Sequence, residues 1–133
     1  MRVEYAAHNA KMYQVRPERI AFEAKDILKV DFTKYFDSHE SKSVAFFFDP
    51  PWGGVNYQEN EEMEFKDLNY PMKEALVKAF TITSNIMLKL PKLMNLEQCY
   101  TDIIESYATA MNLNKKRIAD NFEIQAVMIC QKS

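Results

Sequence analysis

The residues of this chain best suited to chemistry stand together at positions 49–54, in the sequence Asp-Pro-Pro-Trp-Gly-Gly. The Asp49 carboxylate accepts hydrogen bonds, and Pro50 offers a carbonyl oxygen without a backbone N–H. Two acceptors aimed at one planar NH2 group would hold it and localise its lone pair for attack, which is catalysis by positioning. Trp52 supplies a flat face for stacking a base, worth about 1–3 kcal/mol, with a cation–π contribution if the base is cationic. The motif therefore predicts a site for an aromatic ring that bears an exocyclic amine.

A structural interpretation of the same motif is a rigid turn with Trp52 packed into the core. The preceding residues 44–48, Val-Ala-Phe-Phe-Phe, favour the functional interpretation. A short β-branched and aromatic run that ends at two prolines is typical of a buried parallel strand, because proline cannot continue a sheet ladder. Ligands of open α/β sheets bind at the carboxyl ends of the strands, which is where Asp49 and Trp52 stand.

Helical and extended patterns alternate along the chain. The predicted helices span residues 2–15, 31–36, 72–84 and 96–110. The predicted strands span residues 20–24, 44–48, 86–90, 117–120 and 124–130. Apolar residues at spacings of three and four define the longer helices, with Pro17 expected to end the first. The alternation predicts an α/β fold with a mostly parallel sheet, right-handed crossovers and a final antiparallel pair.

Composition places the chain among ordinary globular proteins. Its 133 residues are 47% hydrophobic and 27% charged, so we expect one domain. A net charge of -2 indicates that the protein has no extended basic surface for long nucleic acid. Any nucleic-acid partner would therefore be bound at a restricted site. Cys99 and Cys130 lack metal-ligand spacing, and the sequence shows neither a signal peptide nor an apolar run of about 18 residues. We therefore expect a soluble intracellular protein without a metal or a membrane partner.

The motif and its flanking segments resemble the trimethylguanosine synthase family, which methylates the exocyclic N2 amine of 7-methylguanosine RNA caps with S-adenosylmethionine. The matching segments follow the family's order over most of the chain. They are HNAKMYQV (8–15), FEAKDIL (22–28), DPPWGGVNY (49–57), ITSNIMLKLPK (82–92) and DNFEIQAVMIC (120–130). Many members carry serine at the position of Asp49, so this chain keeps the acceptor and adds a charge beside the amine.

The resemblance implies a Rossmann-like class I S-adenosylmethionine-dependent methyltransferase fold, with capped RNA as partner and the nucleus as location. It implies that Asp49 and Pro50 are the catalytic residues that receive the N2 amine. It also implies that Trp52 stacks on the methylated guanine.

Five further residues gain roles from the resemblance. Asp26 looks like the residue that reads the adenine amine of the cofactor, with Ile27 beside it. Asn9 looks like a contact at the guanine or cofactor edge, and Tyr57 and Lys92 look like contacts to the cap phosphates. Simpler interpretations are that Asp26 caps the following turn, that Asn9 is a surface helix residue and that Lys92 is solvent-exposed.

Glycine is scarce, since only Gly53 and Gly54 occur and both lie in the motif. The family's cofactor loop needs glycine because the backbone there approaches the ligand closely and adopts positive φ. The resemblance begins after the family's first strand, glycine-rich loop and second strand. We therefore expect residues 1–133 to be a partial methyltransferase domain, its carboxyl-terminal part. Strands at 20–24 and 44–48 would then have unpaired edges that favour self-association.

Three alternative functions stay open. Adenine-N6 methyltransferases of the Asp-Pro-Pro-Trp type place the cofactor loop downstream of the motif, where this chain has no glycine. Gly54, Tyr57 and the order of the matching segments favour the cap guanine. A second alternative is a cap-binding module that stacks the cap on Trp52 without catalysis. A third is a folded scaffold without a ligand, which the acidic residues between 59 and 67 favour by repelling phosphate.

Overall fold

The structure is a computed structural model that describes residues 2–35, 44–53, 62–113 and 125–131. The chain forms two compact units, an amino-terminal unit of Met1–Val30 and a carboxy-terminal unit of Asp31–Ser133.

The amino-terminal unit begins with helix α1, Arg2–Met12. Glu4 in its first turn and Lys11 in its last turn complement the helix dipole. The helix ends in a Schellman arrangement, because the Val15 N–H donates to the Ala10 carbonyl at 2.9 Å and Gln14 has a φ of 57°. Glycine is the usual residue at that left-handed position, and this chain uses Gln14 instead. The helix thus ends before Pro17, which opens a 3₁₀ turn over Pro17–Arg19.

The strand expected at residues 20–24 is absent from the described part of this unit, and that prediction is wrong. Ile20 has extended backbone angles, φ -146° and ψ 136°. An extended segment becomes a strand only when a neighbouring segment completes the hydrogen-bonded ladder, and no described segment does so here. The apolar alternation is thus consistent with the extended backbone at Ile20, and it could not supply the pairing partner.

The carboxy-terminal unit contains a three-stranded parallel sheet of β1 (Phe46–Phe48), β2 (Asn85–Pro91) and β3 (Gln125–Gln131). The described strands lie in the order β1-β2-β3. Phe46 is paired with Ile86 at the start of β1, and β2 is paired with β3 along its whole length. Helix α2 (Met72–Phe80) lies between β1 and β2 in the chain, and helix α3 (Leu96–Leu113) lies between β2 and β3. The parallel α/β arrangement predicted from the sequence is confirmed for this unit.

Alternate residues of β2 give the sheet one buried face. Ile86, Leu88 and Leu90 are buried, whereas Asn85 and Met87 are exposed. The core also contains buried apolar side chains of both helices: Met72, Ala75, Leu76, Ala79 and Phe80 of α2, and Cys99, Ile103 and Ala110 of α3. Phe80 meets Tyr107 edge to face, with ring centroids 5.5 Å apart. The periodicities of two in β2 and of three to four in the helices thus converge on one core.

An ion-pair cluster joins α2 to α3 outside this core. The Lys73 ammonium lies 2.8 Å from Glu105 and 3.3 Å from the buried Asp102. The hydrogen bond to Glu105 raises the pKa of Lys73 above its usual value, and Asp102 adds to the effect. The charged form of Lys73 therefore stabilises the contact between the two helices.

Hydrogen bonds at both ends of β2 hold the chain segments that lead to the site. At the start of β2, the buried Thr83 hydroxyl donates to the Val44 carbonyl at 2.9 Å, just before β1. At its end, the Met63 N–H donates to Leu93 at 2.9 Å, and the Asn95 N–H donates back to the Met63 carbonyl at 2.7 Å. Met63, near the point where the described chain resumes after the motif, is thereby attached to the segment that follows β2.

Several element boundaries differ from the predicted ones. The short helix expected at 31–36 is a 3₁₀ turn over Phe32–Lys34, in which the Asp31 side chain accepts the Thr33 N–H at 3.1 Å. Helix α2 ends at Phe80 rather than at 84, and α3 continues to Leu113 rather than ending at 110. The last strand runs parallel to β2. Its expected antiparallel partner at 117–120 lies outside the described residues.

Candidate functional site

The Asp-Pro-Pro-Trp-Gly segment leaves the sheet where β1 ends. Asp49 follows the last strand residue and is exposed, Pro50 is buried, and Trp52 is half-buried. Gly53 has a φ of +95°, which favours glycine. A Cβ there would lie 3.9 Å from the Asp67 carbonyl oxygen, so the backbone angle rather than lack of space requires glycine. The segment therefore makes a sharp turn that keeps Asp49 and Trp52 at the carboxyl edge of the sheet.

The side chain of Asp49 lies on the solvent-exposed face of the sheet, which we call the open face. Phe47 is paired with Met87, and both are exposed. Asp49 lies one residue beyond the end of β1 and Lys89 lies within β2, and the same alternation brings both side chains to that face. The Lys89 ammonium donates to Asp49 Oδ2 at 2.9 Å. An acidic and a basic side chain from neighbouring strands thus form an ion pair at the position predicted for catalysis.

The same ammonium lies over the Trp52 ring, 5.8 Å from its centroid. This distance is within the range of a cation–π interaction. The side chains of Lys89 and Asp49 are 31% and 46% exposed, so solvent screens the pair. The Lys89 ammonium therefore contacts both the Asp49 carboxylate and the Trp52 ring, the two groups predicted to bind the substrate.

The predicted phosphate contacts fall on Lys92 and Tyr57. Lys92 follows Pro91, the last residue of β2, and is exposed. Because β1 and β2 are parallel, Lys92 and Asp49 follow strand ends at the same edge of the sheet. Tyr57 lies outside the described residues.

The other three predicted site residues lie in the amino-terminal unit. Asn9 is exposed on α1. Asp26 Oδ1 accepts the Leu28 N–H at 3.0 Å, which is the turn-capping arrangement that the simpler interpretation proposed. Asp26 Oδ2 lies 3.9 Å from the Lys29 ammonium. Ile27 is half-buried and begins that turn. A carboxylate has about four acceptor positions, so Asp26 keeps capacity for a further donor such as an adenine amine.

Within the carboxy-terminal unit the structure brings together Asp49, Pro50 and Trp52 and adds Lys89, which the sequence reading missed. A signal for Lys89 exists in the run Ile-Met-Leu-Lys-Leu at 86–90, where one charge interrupts an apolar strand. Alternation alone places that charge on the face opposite Leu88 and Leu90. The register between β1 and β2 was needed to show that its neighbour is Asp49.

Metal-type clusters and membrane-spanning helices are both absent from the parts of the chain that the structure describes. No three His, Cys, Asp or Glu side chains in those parts converge as a metal site. No helix in the same ranges is long and apolar enough to cross a membrane.

A comparison with protein families adds independent information to this geometry. A family model for RNA cap guanine-N2 methyltransferases matches residues 1–131, which includes both compact units. No curated protein matches the chain, and no solved structure does. The family match agrees with the resemblance drawn from the motif segments.

Proposed function

The chain belongs to the family of RNA cap guanine-N2 methyltransferases, and we propose that it methylates the exocyclic N2 amine of 7-methylguanosine caps. The methyl donor in this proposal is S-adenosylmethionine, the fold is Rossmann-like and of class I, and the location is the nucleus. The observation that carries the proposal is the position of Asp49 and Trp52 beside each other at the carboxyl end of β1.

Asp49 and Pro50 act in this proposal as acceptors for the two hydrogens of the amine. Holding both N–H groups directs the nitrogen lone pair away from the ring and towards the methyl group. Transfer of the methyl group, with the S–CH3 bond of the sulfonium donor breaking as the N–CH3 bond forms, would leave positive charge on the nitrogen, and the Asp49 carboxylate would stabilise that charge. The extra proton then leaves through Asp49 or water.

Trp52 holds the base by stacking on it. A 7-methylguanine ring is cationic, so it gains a cation–π contribution that unmethylated guanine lacks. Lys92 and Tyr57 contact the cap phosphates in this proposal. The exposed Lys92 ammonium at the same edge of the sheet is compatible with such a contact.

The cofactor contacts in this proposal come from Asp26 and Ile27, with Asn9 at the guanine or cofactor edge. S-adenosylmethionine supplies an electrophilic methyl group when it is bound. Asp26 fits the adenine end, because its carboxylate has spare acceptor positions and is half-exposed. Gly53 and Gly54 both lie in the motif, so these residues contain no glycine-rich cofactor turn. We therefore propose that residues 1–133 form part of a methyltransferase domain.

A fluorescence titration tests the substrate half of the proposal. Trp52 is the single tryptophan, so its emission reports directly on stacking. We expect saturable quenching by a 7-methylguanosine cap analogue and weaker binding of the unmethylated guanosine analogue. A 7-methylinosine analogue, which lacks the N2 amine, isolates the contribution of Asp49 and should also bind more weakly. Absence of saturable quenching by the first ligand contradicts the proposal.

A transfer assay then separates the enzyme from its alternatives. Labelled S-adenosylmethionine is incubated with the protein and either cap analogue or adenosine-containing RNA, and the methylated nucleoside is identified. Label on the guanine N2 supports the proposal. Cap binding without transfer, with cofactor binding established by calorimetry, supports a cap-binding module. Label on adenine N6 assigns the chain to adenine methylation.

A further inference from the structure

Lys89 contacts the two groups that the proposed function assigns to the substrate. Its ammonium donates to Asp49 at 2.9 Å and lies 5.8 Å from the centre of the Trp52 ring. We propose that Lys89 is an intramolecular competitor of the substrate, whose ammonium occupies the base site until the methylated guanine displaces it. This inference rests on the proposed function, because it concerns the same site.

The position of Lys89 in the sheet allows this role. Its neighbour Leu88 is paired with Phe48 on one side, and Lys89 itself is paired with Ile129 on the other. The backbone is therefore held by both neighbouring strands, and only the side chain is able to move. That side chain is 31% exposed, which gives the ammonium a route into solvent when it leaves Asp49.

The Lys89 ammonium resembles the proposed substrate, a 7-methylguanine ring, in two chemical properties. It carries N–H donors and a positive charge, and a 7-methylguanine ring carries both as well. In each case the donors suit Asp49 and the charge suits the Trp52 face. A base cannot stack where the ammonium lies over the ring, and its positive charge would be repelled by a cation left there. Binding at this face therefore requires that Lys89 leaves.

The expected effect on affinity is moderate. The ion pair and the cation–π contact are both partly exposed, and interactions of this kind are individually weak. Together they reduce the population of the open site by about fivefold, and the apparent Kd of the cap rises by the same factor. Lys89 thus tunes cap affinity and does not block the site.

Two substitutions with opposite expected effects test the proposal. Lys89→Met keeps the length of the side chain and removes the charge, so the Kd for the 7-methylguanosine cap analogue should fall about fivefold. Lys89→Arg keeps the charge, and its planar group pairs with carboxylates and stacks on aromatic rings better, so the Kd should rise. Both are measured by quenching of Trp52. Lys66→Met, which removes an exposed lysine of the same unit, is the charge-matched control and should leave the Kd within about twofold.

The pair of variants distinguishes competition from a structural role. A merely destabilised site binds the cap more weakly in both Lys89 variants, and that result overturns the proposal. Unchanged affinity in Lys89→Met, or weaker affinity because Lys89 contacts the cap, also overturns it. If Lys89→Met does not fold by circular dichroism, Lys89→Gln replaces it with the same expected direction.

The controls also separate this inference from the proposed function. If the wild-type protein binds the cap and the Lys89→Met variant binds it no more tightly, Lys89 is not a competitor of the substrate. The proposed function is unaffected by that result. Binding by both proteins, with the Lys89→Met variant about fivefold tighter than wild type, supports both statements. Failure of both proteins to bind the cap overturns the proposed function, and the inference with it.

Discussion

The two faces of the β1–β2 pair come from the same strands and have opposite surroundings. Ile86, Leu88 and Leu90 are at most 5% exposed on one face. On the other face Phe47 is 59% and Met87 is 37% exposed. Parallel sheets usually have both faces covered, so an open apolar face beside a polar pair is unusual. Alternate residues of the same segments therefore hold the fold together on one face and carry the candidate chemistry on the other.

This separation depends on register. Asp49 and Lys89 meet because the register of β1 and β2 directs the residue just beyond β1 and Lys89 of β2 to the same open face. A slip of one residue would exchange the two faces and bury the ion pair. Substitutions on the two faces should therefore affect different properties, stability on the packed face and chemistry on the open face.

The largest effect is expected on the packed face, from Leu88→Ala. Leu88 is 1% exposed, and its truncation leaves a cavity in the core. We expect the free energy of unfolding to fall by about 2–5 kcal/mol. Urea denaturation followed by circular dichroism measures it. A loss below about 1 kcal/mol would show that the core collapses around the truncated side chain. The packed face would then not be the main source of stability.

The next effect is expected on the open face, from Asp49→Ala. Transfer to the cap should fall about 100-fold, which is the scale of losing one charge-stabilising group. The free energy of unfolding should change by less than about 1 kcal/mol, because the ion pair is half-exposed. The measurements are the transfer assay and the same urea denaturation, with cap stacking on Trp52 largely retained. Activity within about threefold of wild type means that the acceptor role is wrong.

A smaller effect is expected where α2 meets α3, from Lys73→Met. Removing the exposed partner of Glu105 and Asp102 should lower the free energy of unfolding by about 1 kcal/mol at pH 7. The folded-state pKa of Lys73 is raised, so its contribution is complete below the unfolded pKa of about 10.4 and is lost as pH rises through the folded value. Urea denaturation of both proteins should therefore show that the difference between their free energies of unfolding is smaller at pH 11.5 than at pH 8. A constant difference would assign the effect to packing of the lysine stem.

The smallest effect is expected from Met87→Gln on the open face. Since Met87 is 37% exposed, the free energy of unfolding should change by no more than about 0.5 kcal/mol. A clearly larger loss would indicate that another surface covers this face in solution. Sedimentation velocity over a range of concentrations distinguishes the cases, because a face shared between copies makes the sedimentation coefficient concentration-dependent.

Sequence patterns predicted those parts of the fold that depend on local periodicity. The strand at 86–90 and the helix at 96–110 both carry a regular apolar periodicity, and both occur with small changes of length. The prolines after Phe48 also placed the end of β1 correctly. Such features depend only on residues close together in the chain.

Features that need a partner elsewhere in the chain were not predictable in this way. The segment 20–24 has the apolar alternation of a strand, but no described segment pairs with it through hydrogen bonds. The sequence shows Lys89 only as one charge in an apolar run, because its relation to Asp49 depends on the pairing of segments 40 residues apart. The roles of Asp26 and Asn9 rest on the resemblance, and Asp26 already caps its own turn.

The position of Trp52 has a consequence for following how the protein folds. The single tryptophan stands just beyond β1, and the cation over its ring comes from β2. Their contact forms only after a chain segment that includes α2 has closed the loop between the strands. Parallel pairing of strands that are distant in the chain is slow compared with helix formation. In stopped-flow refolding, the phase in which Trp52 emission reaches its native value would therefore time the docking of β1 onto β2, separately from the earlier circular-dichroism signal of the helices.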